Sequence, residues 1–247
     1  NITRIGSTSG GLLSLAKSKI DLPSMRRLDI RGCEELQTLE INIPSFCLID
    51  GIIDYFEINQ VRTYHPLMLR EGKFLESKIF ELKNLKIDVF PTPIELFSGA
   101  KKIVLHGNNI TFIPQSLNTI QNVEELIFSS NLINSIDSEA FKQMKKLRHL
   151  DISFNSLVDL SSVCLSLPQL ILLDASQNAI RDVDFPKNSL SALISLNLAS
   201  NKIKTFGPIE SGSLLSLSQL DISNNKLDSF PSEICKLTSL QTLFCSH

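Results

Sequence analysis

The 247-residue chain has few cysteines, and they are not clustered. Cys33, Cys47, Cys164, Cys235 and Cys245 form no CxxC pair and no zinc-ligand spacing. That excludes the sequence-local zinc and dithiol motifs, and an odd, scattered set argues for a reducing compartment, which points to the cytoplasm. Charge of one sign is also lacking: the formal net charge is −2. A polyanion-binding surface usually brings a clear basic excess, so nucleic acid is not an expected partner. No apolar run approaches the ~18 residues of a helical membrane span. Neither GxxxxGK[ST] nor GxGxxG occurs, so no phosphate-cradling loop and no cofactor is expected. There is no initiator methionine and no readable signal peptide, so the chain reads as a mature product or a cut segment.

What is present is a repeat. Leu147 to Leu157 reads LRHLDISFNSL, with Leu150 and Ile152 alternating against His149, Asp151 and Ser153. Period-two alternation describes a short strand with one buried face, not an amphipathic helix. Asn155 follows where the strand should end. Its side chain offers an acceptor and two donors to backbone groups as the chain turns inward. The same eleven-residue pattern starts at Ala100, Val123, Leu170, Leu193 and Leu217, and its asparagines are Asn108, Asn131, Asn155, Asn178, Asn201 and Asn225. They recur every 23 or 24 residues, a spacing that chance would not hold over six copies.

This pattern resembles the leucine-rich-repeat superfamily over roughly the C-terminal 60% of the chain. The resemblance implies an α/β solenoid, a horseshoe with a parallel concave β-sheet and mixed short helices and loops on the convex side. The core of such an array is a ribbon buried between neighbouring repeats.

Taken in order, residues 1–24 form an N-terminal segment with a glycine-rich, flexible composition, followed by a possible short helix or first convex segment. Residues 25–98 read as irregular, degenerate repeats, with Cys33 in the asparagine's place, or else as a separate small β-rich domain. Strand-like triplets there are Leu39–Ile41, Leu48–Ile49, Phe56–Ile58, Leu67–Leu69 and Leu85–Ile87. Residues 99–247 carry the regular repeats. Pro114 and Pro231 are placed to open short helices, since a helix's first turn has no internal partner for its N–H groups. Phe141 is expected to point inward above Ile136. The segments after Asn155 and Asn178 are expected to be extended or single-turn. The last repeat is truncated, because the next asparagine falls near position 248 by the ~23-residue period.

The alternation also names the side chains expected on the concave face. The first column is Lys102, Glu125, His149, Leu172, Ser195, Gln219 and Thr242. The middle column is Val104, Ile127, Asp151, Asp174, Asn197, Asp221 and Phe244. The third is His106, Ser129, Ser153, Ser176, Ala199, Ser223 and Ser246. His149, Asp151, Asp174 and the serines do not make a hydrolase. Side chains two apart on a strand stand parallel, about 7 Å apart, and a shallow sheet supplies neither a pocket nor an oxyanion site. Asp151, Asp174 and Asp221 lack the further ligands of a hard-cation shell, so no metal is expected. Apolar side chains on this face, Val104 and Ile127 foremost, suggest binding. The candidate partner-binding set is Val104, Glu125, Ile127, His149, Asp151, Leu172, Asp174, Asn197, Gln219 and Asp221. Lys142, Lys145, Lys146 and Arg148 read as the solvated outside of one repeat. The sequons at Asn1 and Asn109 read as chance.

The resemblance implies a non-catalytic recognition or scaffold module that binds a protein partner through its concave face in signalling. An innate-immune or adhesion ectodomain, or the targeting arm of a kinase, GTPase or phosphatase, are the alternatives. Enzymatic activity is not expected within these residues.

Overall fold

Each alternating stretch becomes one short strand with its central residue turned inward. The computed structural model describes residues 77–92 and 94–246 and, before them, the strand segments 20–21, 27–29, 41–42 and 48–50. The chain divides into two compact units, Asn1–Lys78 and Ile79–His247. In the first, the strands are β1 (Ile20–Asp21), β2 (Arg27–Asp29), β3 (Ile41–Asn42) and β4 (Leu48–Asp50). β1 pairs with β3 and β2 with β4, both in parallel. The expectations for residues 1–19, for Cys33 and for the triplets Phe56–Ile58 and Leu67–Leu69 lie outside the described residues.

The second unit is a solenoid. Its strands in chain order are β5 (Ile79–Glu81), β6 (Lys102–Val104), β7 (Phe112–Ile113), β8 (Glu125–Ile127), β9 (Ser135–Ile136), β10 (His149–Asp151), β11 (Leu172–Asp174), β12 (Asp182–Phe185), β13 (Ser195–Asn197), β14 (Thr205–Ile209), β15 (Gln219–Asp221) and β16 (Thr242–Phe244). Eight of them, β5, β6, β8, β10, β11, β13, β15 and β16, lie side by side in one parallel sheet. The central residues of the first seven, Phe80, Ile103, Leu126, Leu150, Leu173, Leu196 and Leu220, are buried, and Leu243 of β16 is half-buried. The next inward layer, Phe128, Ile152, Ala175, Leu198 and Ile222, is buried as well. Phe141 is fully buried, as its position implies, and Ile136 is half-buried.

The recurrent asparagines stack. Asn131 Nδ2 donates to the Phe128 carbonyl of its own coil at 3.0 Å and to the Leu105 carbonyl of the preceding coil at 2.9 Å. Its Oδ1 accepts the Ile110 N–H at 3.1 Å. Asn108, Asn155, Asn178, Asn201 and Asn225 repeat this set of contacts. A buried backbone carbonyl or N–H left without a partner is costly, and here one side chain supplies partners to two coils at once. The residue before each asparagine takes a left-handed conformation: Gly107 at φ 71°, then Ser130, Phe154, Gln177, Ser200 and Asn224 at 52° to 57°. Only glycine adopts this without steric cost.

Two local expectations are corrected. Leu85–Ile87 is not a strand. The Leu85 and Ile87 N–H groups both donate to Asn108 Oδ1, so these residues form the turn beyond a strand that lies earlier, at Ile79–Glu81. After Asn155 the outer segment is a helix, α1 (Ser161–Ser166), in place of an extended run or a single turn. Leu160, Val163, Cys164 and Leu167 are buried at helical spacing, and Asp159 Oδ1 accepts the Ser161 N–H at its start. After Asn178 the segment is extended, as β12, which pairs with β14; β7 pairs with β9. The proline-led segments form 3₁₀ helices, Gln115–Thr119 after Pro114 and Ser232–Lys236 after Pro231.

Replacing Asn178 with alanine leaves the Leu157 N–H without a partner and takes one donor each from the Ile152 and Ala175 carbonyls, which keep Asn155 and Asn201. It should cost about 3 kcal/mol, read as the urea midpoint, while Asn109→Ala should stay within about 0.5 kcal/mol. Burial pushes the Cys164 thiol up to about 12. At pH 8 its thiolate is scarce, so site-resolved mass spectrometry after iodoacetamide treatment should find Cys164 unmodified and the exposed Cys235 modified.

Candidate functional site

The strand register builds the expected columns residue by residue. Lys102, Glu125, His149, Leu172, Ser195, Gln219 and Thr242 are consecutive register partners, and so are Val104, Ile127, Asp151, Asp174, Asn197, Asp221 and Phe244. Neighbouring strands stand about 4.8 Å apart, so each column is a line of adjacent side chains. β5 extends both columns upstream with Ile79 and Glu81. Those two were missed in the sequence because the strand register puts Leu85, not an asparagine, in the ladder position that matches Asn108.

The accessibility of the columns differs from expectation in two places. Val104 is buried at 4% exposure, not part of an exposed apolar patch. Its short side chain lies between the longer Glu81 and Ile127 across the sheet and between Lys102 and His106 along its own strand. The serines of the third column are buried too: Ser129, Ser153, Ser176 and Ser223. The strand has ended by that position, and their polar groups close the turn. Asp151 Oδ1 accepts both the Ser153 N–H at 3.0 Å and its hydroxyl at 2.7 Å. Asp174 does the same for Ser176, at 2.9 and 2.6 Å. Asp221 Oδ1 accepts the Ser223 N–H, and Asn197 Oδ1 the Ala199 N–H. A polar side chain bonding the backbone two residues on is the Asx-turn arrangement. The middle-column carboxylates therefore hold the backbone as well as facing solvent.

Charge along the face is graded. Lys102 pairs with Glu125 at 2.6 Å, and Lys83 pairs with Glu81. Exposed pairs like these add little stability. Asp151, Asp174 and Asp221 have no cation within ion-pairing distance among the described residues. Asp174 Oδ2 accepts a hydrogen bond from Asn197 Nδ2 at 3.1 Å. The face thus runs from a paired, partly apolar end at β5–β8 to an acidic stretch at β10–β15. At the first end is a cavity of about 480 Å³ lined by Glu81, Lys83, Lys102, Val104, His106 and Ile127. Ile127, His149, Asn197 and the three aspartates are half-buried, while Leu172 and Gln219 are exposed.

This arrangement is unsuited to hydrolysis. The Ser153 and Ser176 hydroxyls donate hydrogen bonds to aspartates that are tied to the backbone, and His149 stands in a different column. His106 Nδ1 lies 3.0 Å from Ser129 Oγ, but that serine is buried. The basic cluster is largely occupied with its own surroundings. Lys142 pairs with Glu139, Lys146 donates to Asn122, and Arg148 donates to the Lys145, Leu147 and Gln169 carbonyls. The Lys101 ammonium beside Glu124 and the Lys236 ammonium beside Glu233 each hold that carboxyl below its ordinary range.

Family models described as leucine rich repeat match residues 98–157, 121–180 and 216–237. Transforming growth factor beta activator LRRC33 of Danio rerio is 33% identical over 132 residues, 49% of this chain and 19% of that protein. An adenylate cyclase of Schizosaccharomyces pombe is 35% identical over 122 residues, 48% of this chain and 7% of that protein. The chain spans a fifth or less of the length of these curated relatives. The solved structure of an internalin from Listeria monocytogenes aligns with a TM-score of 0.61 at 17% identity, covering 97% of this chain and 77% of that one. At that identity the likeness concerns the fold.

The two tasks of the aspartates can be separated. Asp151→Asn keeps the turn-closing oxygen and should leave stability within about 0.5 kcal/mol, whereas Asp151→Ala should cost about 1–2 kcal/mol in urea unfolding.

Proposed function

The chain belongs to the leucine-rich-repeat superfamily, and from that membership we propose that it recognises a protein partner through the concave face of its repeats, as a scaffold in signalling. The repeat module itself is a non-catalytic protein-binding fold. The observation that carries the choice of face is the register. It aligns five consecutive sheet strands so that Glu125, Ile127, His149, Asp151, Leu172, Asp174, Asn197, Gln219 and Asp221 form one continuous surface. Each strand is tied to its neighbours through backbone and asparagine bonds, so the side chains are held in place before the partner arrives. Preorganisation of that kind reduces the ordering cost of association. Val104, being buried, supports this surface from below and is not proposed as a contact.

We place this activity in the cytoplasm, where the exposed Cys235 and Cys245 would stay reduced. A second reading, an ectodomain, is favoured by one observation: Asn109 and Thr111 of the Asn-Ile-Thr sequon are both exposed. A third, the targeting arm of a larger enzyme, draws on the adenylate cyclase similarity, where the matched part is a small fraction of the protein. The intact mass of the native protein before and after glycosidase treatment separates the first two. An unmodified Asn109 is the result expected here.

The face is tested by capturing the partner from cells that make the protein and titrating it against variants. Ile127→Asp should weaken binding at least about tenfold, as a central contact does. Lys142→Glu and Lys145→Glu should leave affinity within about twofold, as changes outside an interface do. Loss of binding in the lysine variants with Ile127→Asp unaffected would overturn the assignment.

A further inference from the structure

The residues just beyond each ladder asparagine form a flank of the solenoid, separate from the strand columns. In three successive coils this flank carries Arg181, Lys202, Lys204 and Lys226, all exposed. Backbone bonds hold them in line: Lys202 N–H to the Ile180 carbonyl at 2.9 Å, Lys204 to Arg181 at 3.0 Å and Lys226 to Ile203 at 2.9 Å. None of the four side chains has an ion-pair or hydrogen-bond partner among the described residues. That sets them apart from Lys142, Lys146 and Arg148, which are occupied. The same coils present Asp174 and Asp221 in the strand columns. The same outer segments also carry the exposed carboxylates Asp182, Asp184 and Asp228, so the four cations outnumber the carboxylates beside them by one.

At the downstream end of the cationic strip lies a cleft of about 340 Å³, lined by Lys204, Phe206, Leu227 and Phe230, with Asp228 and Glu233 at its border. Phe206 is buried in it, and Phe230 is 58% exposed beside it. Glu233 is neutralised by Lys236. Of the carboxylates near the strip, Asp182 accepts the Thr205 hydroxyl at 2.6 Å, and none of Asp182, Asp184 and Asp228 is ion-paired with the four cations. Like-signed cations held in a row repel one another, and an anionic ligand relieves that repulsion. An apolar cleft beside them calls for a bulky apolar side chain on the same ligand.

We propose that this flank is a second docking surface, taking an acidic peptide segment of a partner protein. Its carboxylates would meet Arg181, Lys202, Lys204 and Lys226, and one large apolar side chain would fill the cleft at Phe206 and Phe230. A short acidic peptide fits better than a nucleic acid. A long polyanion would extend past the strip toward the strand carboxylates of the same coils, whereas a short segment stays on the cations and uses the apolar cleft. This surface does not depend on the concave-face reading, and either can fail without the other.

The test uses the full chain and fluorescence anisotropy with a labelled peptide of repeating Glu-Glu-Leu triplets. A Lys-Lys-Leu peptide and oligo-dT of matching length serve as comparisons. The Glu-Glu-Leu peptide should bind, and more weakly as salt rises. The quadruple variant Arg181→Gln, Lys202→Gln, Lys204→Gln, Lys226→Gln should lose about tenfold in affinity. Phe230→Ala should lose about fivefold, and Lys145→Gln, at an exposed cation away from the strip, should change nothing. All the altered side chains on the flank are exposed, so urea midpoints should hold. Should the quadruple variant fail that check, the pair Lys202→Glu, Lys226→Glu gives the same reading. Absence of Glu-Glu-Leu binding, equal binding by the wild type and the cation variants, or tighter binding of oligo-dT or Lys-Lys-Leu would each overturn the proposal.

Discussion

Everything in the second unit depends on one side chain type in one place: the asparagine amide that bonds the backbone of two coils. A three-residue strand has too few ladder bonds to fix its own register, and a sheet of such strands is free to slip. The amide removes that freedom. Asn131, for instance, ties its own coil at Phe128 and the previous one at Leu105 and Ile110. Once that spacing is set, the leucines align beneath the sheet and the alternate residues align above it. The core and the outward columns are two consequences of the same bond.

How much of this was readable in the sequence follows from what repeats and what does not. The asparagine period located the sheet strands β6, β8, β10, β11, β13, β15 and β16 and named the members of the first two columns on them, because a fixed period transmits position without knowledge of contacts. It failed at β5, where Leu85 replaces the asparagine and the signal that locates the turn is gone. It also failed at α1: the helical spacing of Leu160, Val163, Cys164 and Leu167 is present, but it runs over a stretch of only six helical residues, too short for the pattern to stand out. Within the candidate site, placement was legible and accessibility was not. Whether Val104 is open to solvent depends on the lengths of Glu81 and Ile127, which come from other coils. The burial of the serines depends on hydrogen bonds that alternation alone does not reveal.

The middle column illustrates why a consensus residue and a binding residue can be the same residue. Asp151 and Asp174 use one carboxylate oxygen to close the turn after their strands. The second oxygen of Asp151 remains turned outward, while that of Asp174 is engaged by Asn197. A change of side chain at such a position alters local structure and recognition together, and only the isosteric amide separates them. First-column positions such as Gln219 carry no such duty and can vary with the partner. The surface therefore has fixed lines and variable lines, running parallel to each other across the coils.

The left-handed residue before each asparagine has a kinetic meaning. Ser130, Phe154, Gln177, Ser200 and Asn224 hold a backbone conformation that ordinary side chains avoid, at a cost of roughly 1 kcal/mol each. A single coil cut from the array has no adjacent carbonyls to compensate it, and so has no reason to adopt that shape. The conformation becomes favourable only against a coil that is already formed. Growth of the structure then resembles the addition of layers to a crystal face: slow to begin, and thereafter templated by whatever was laid down last.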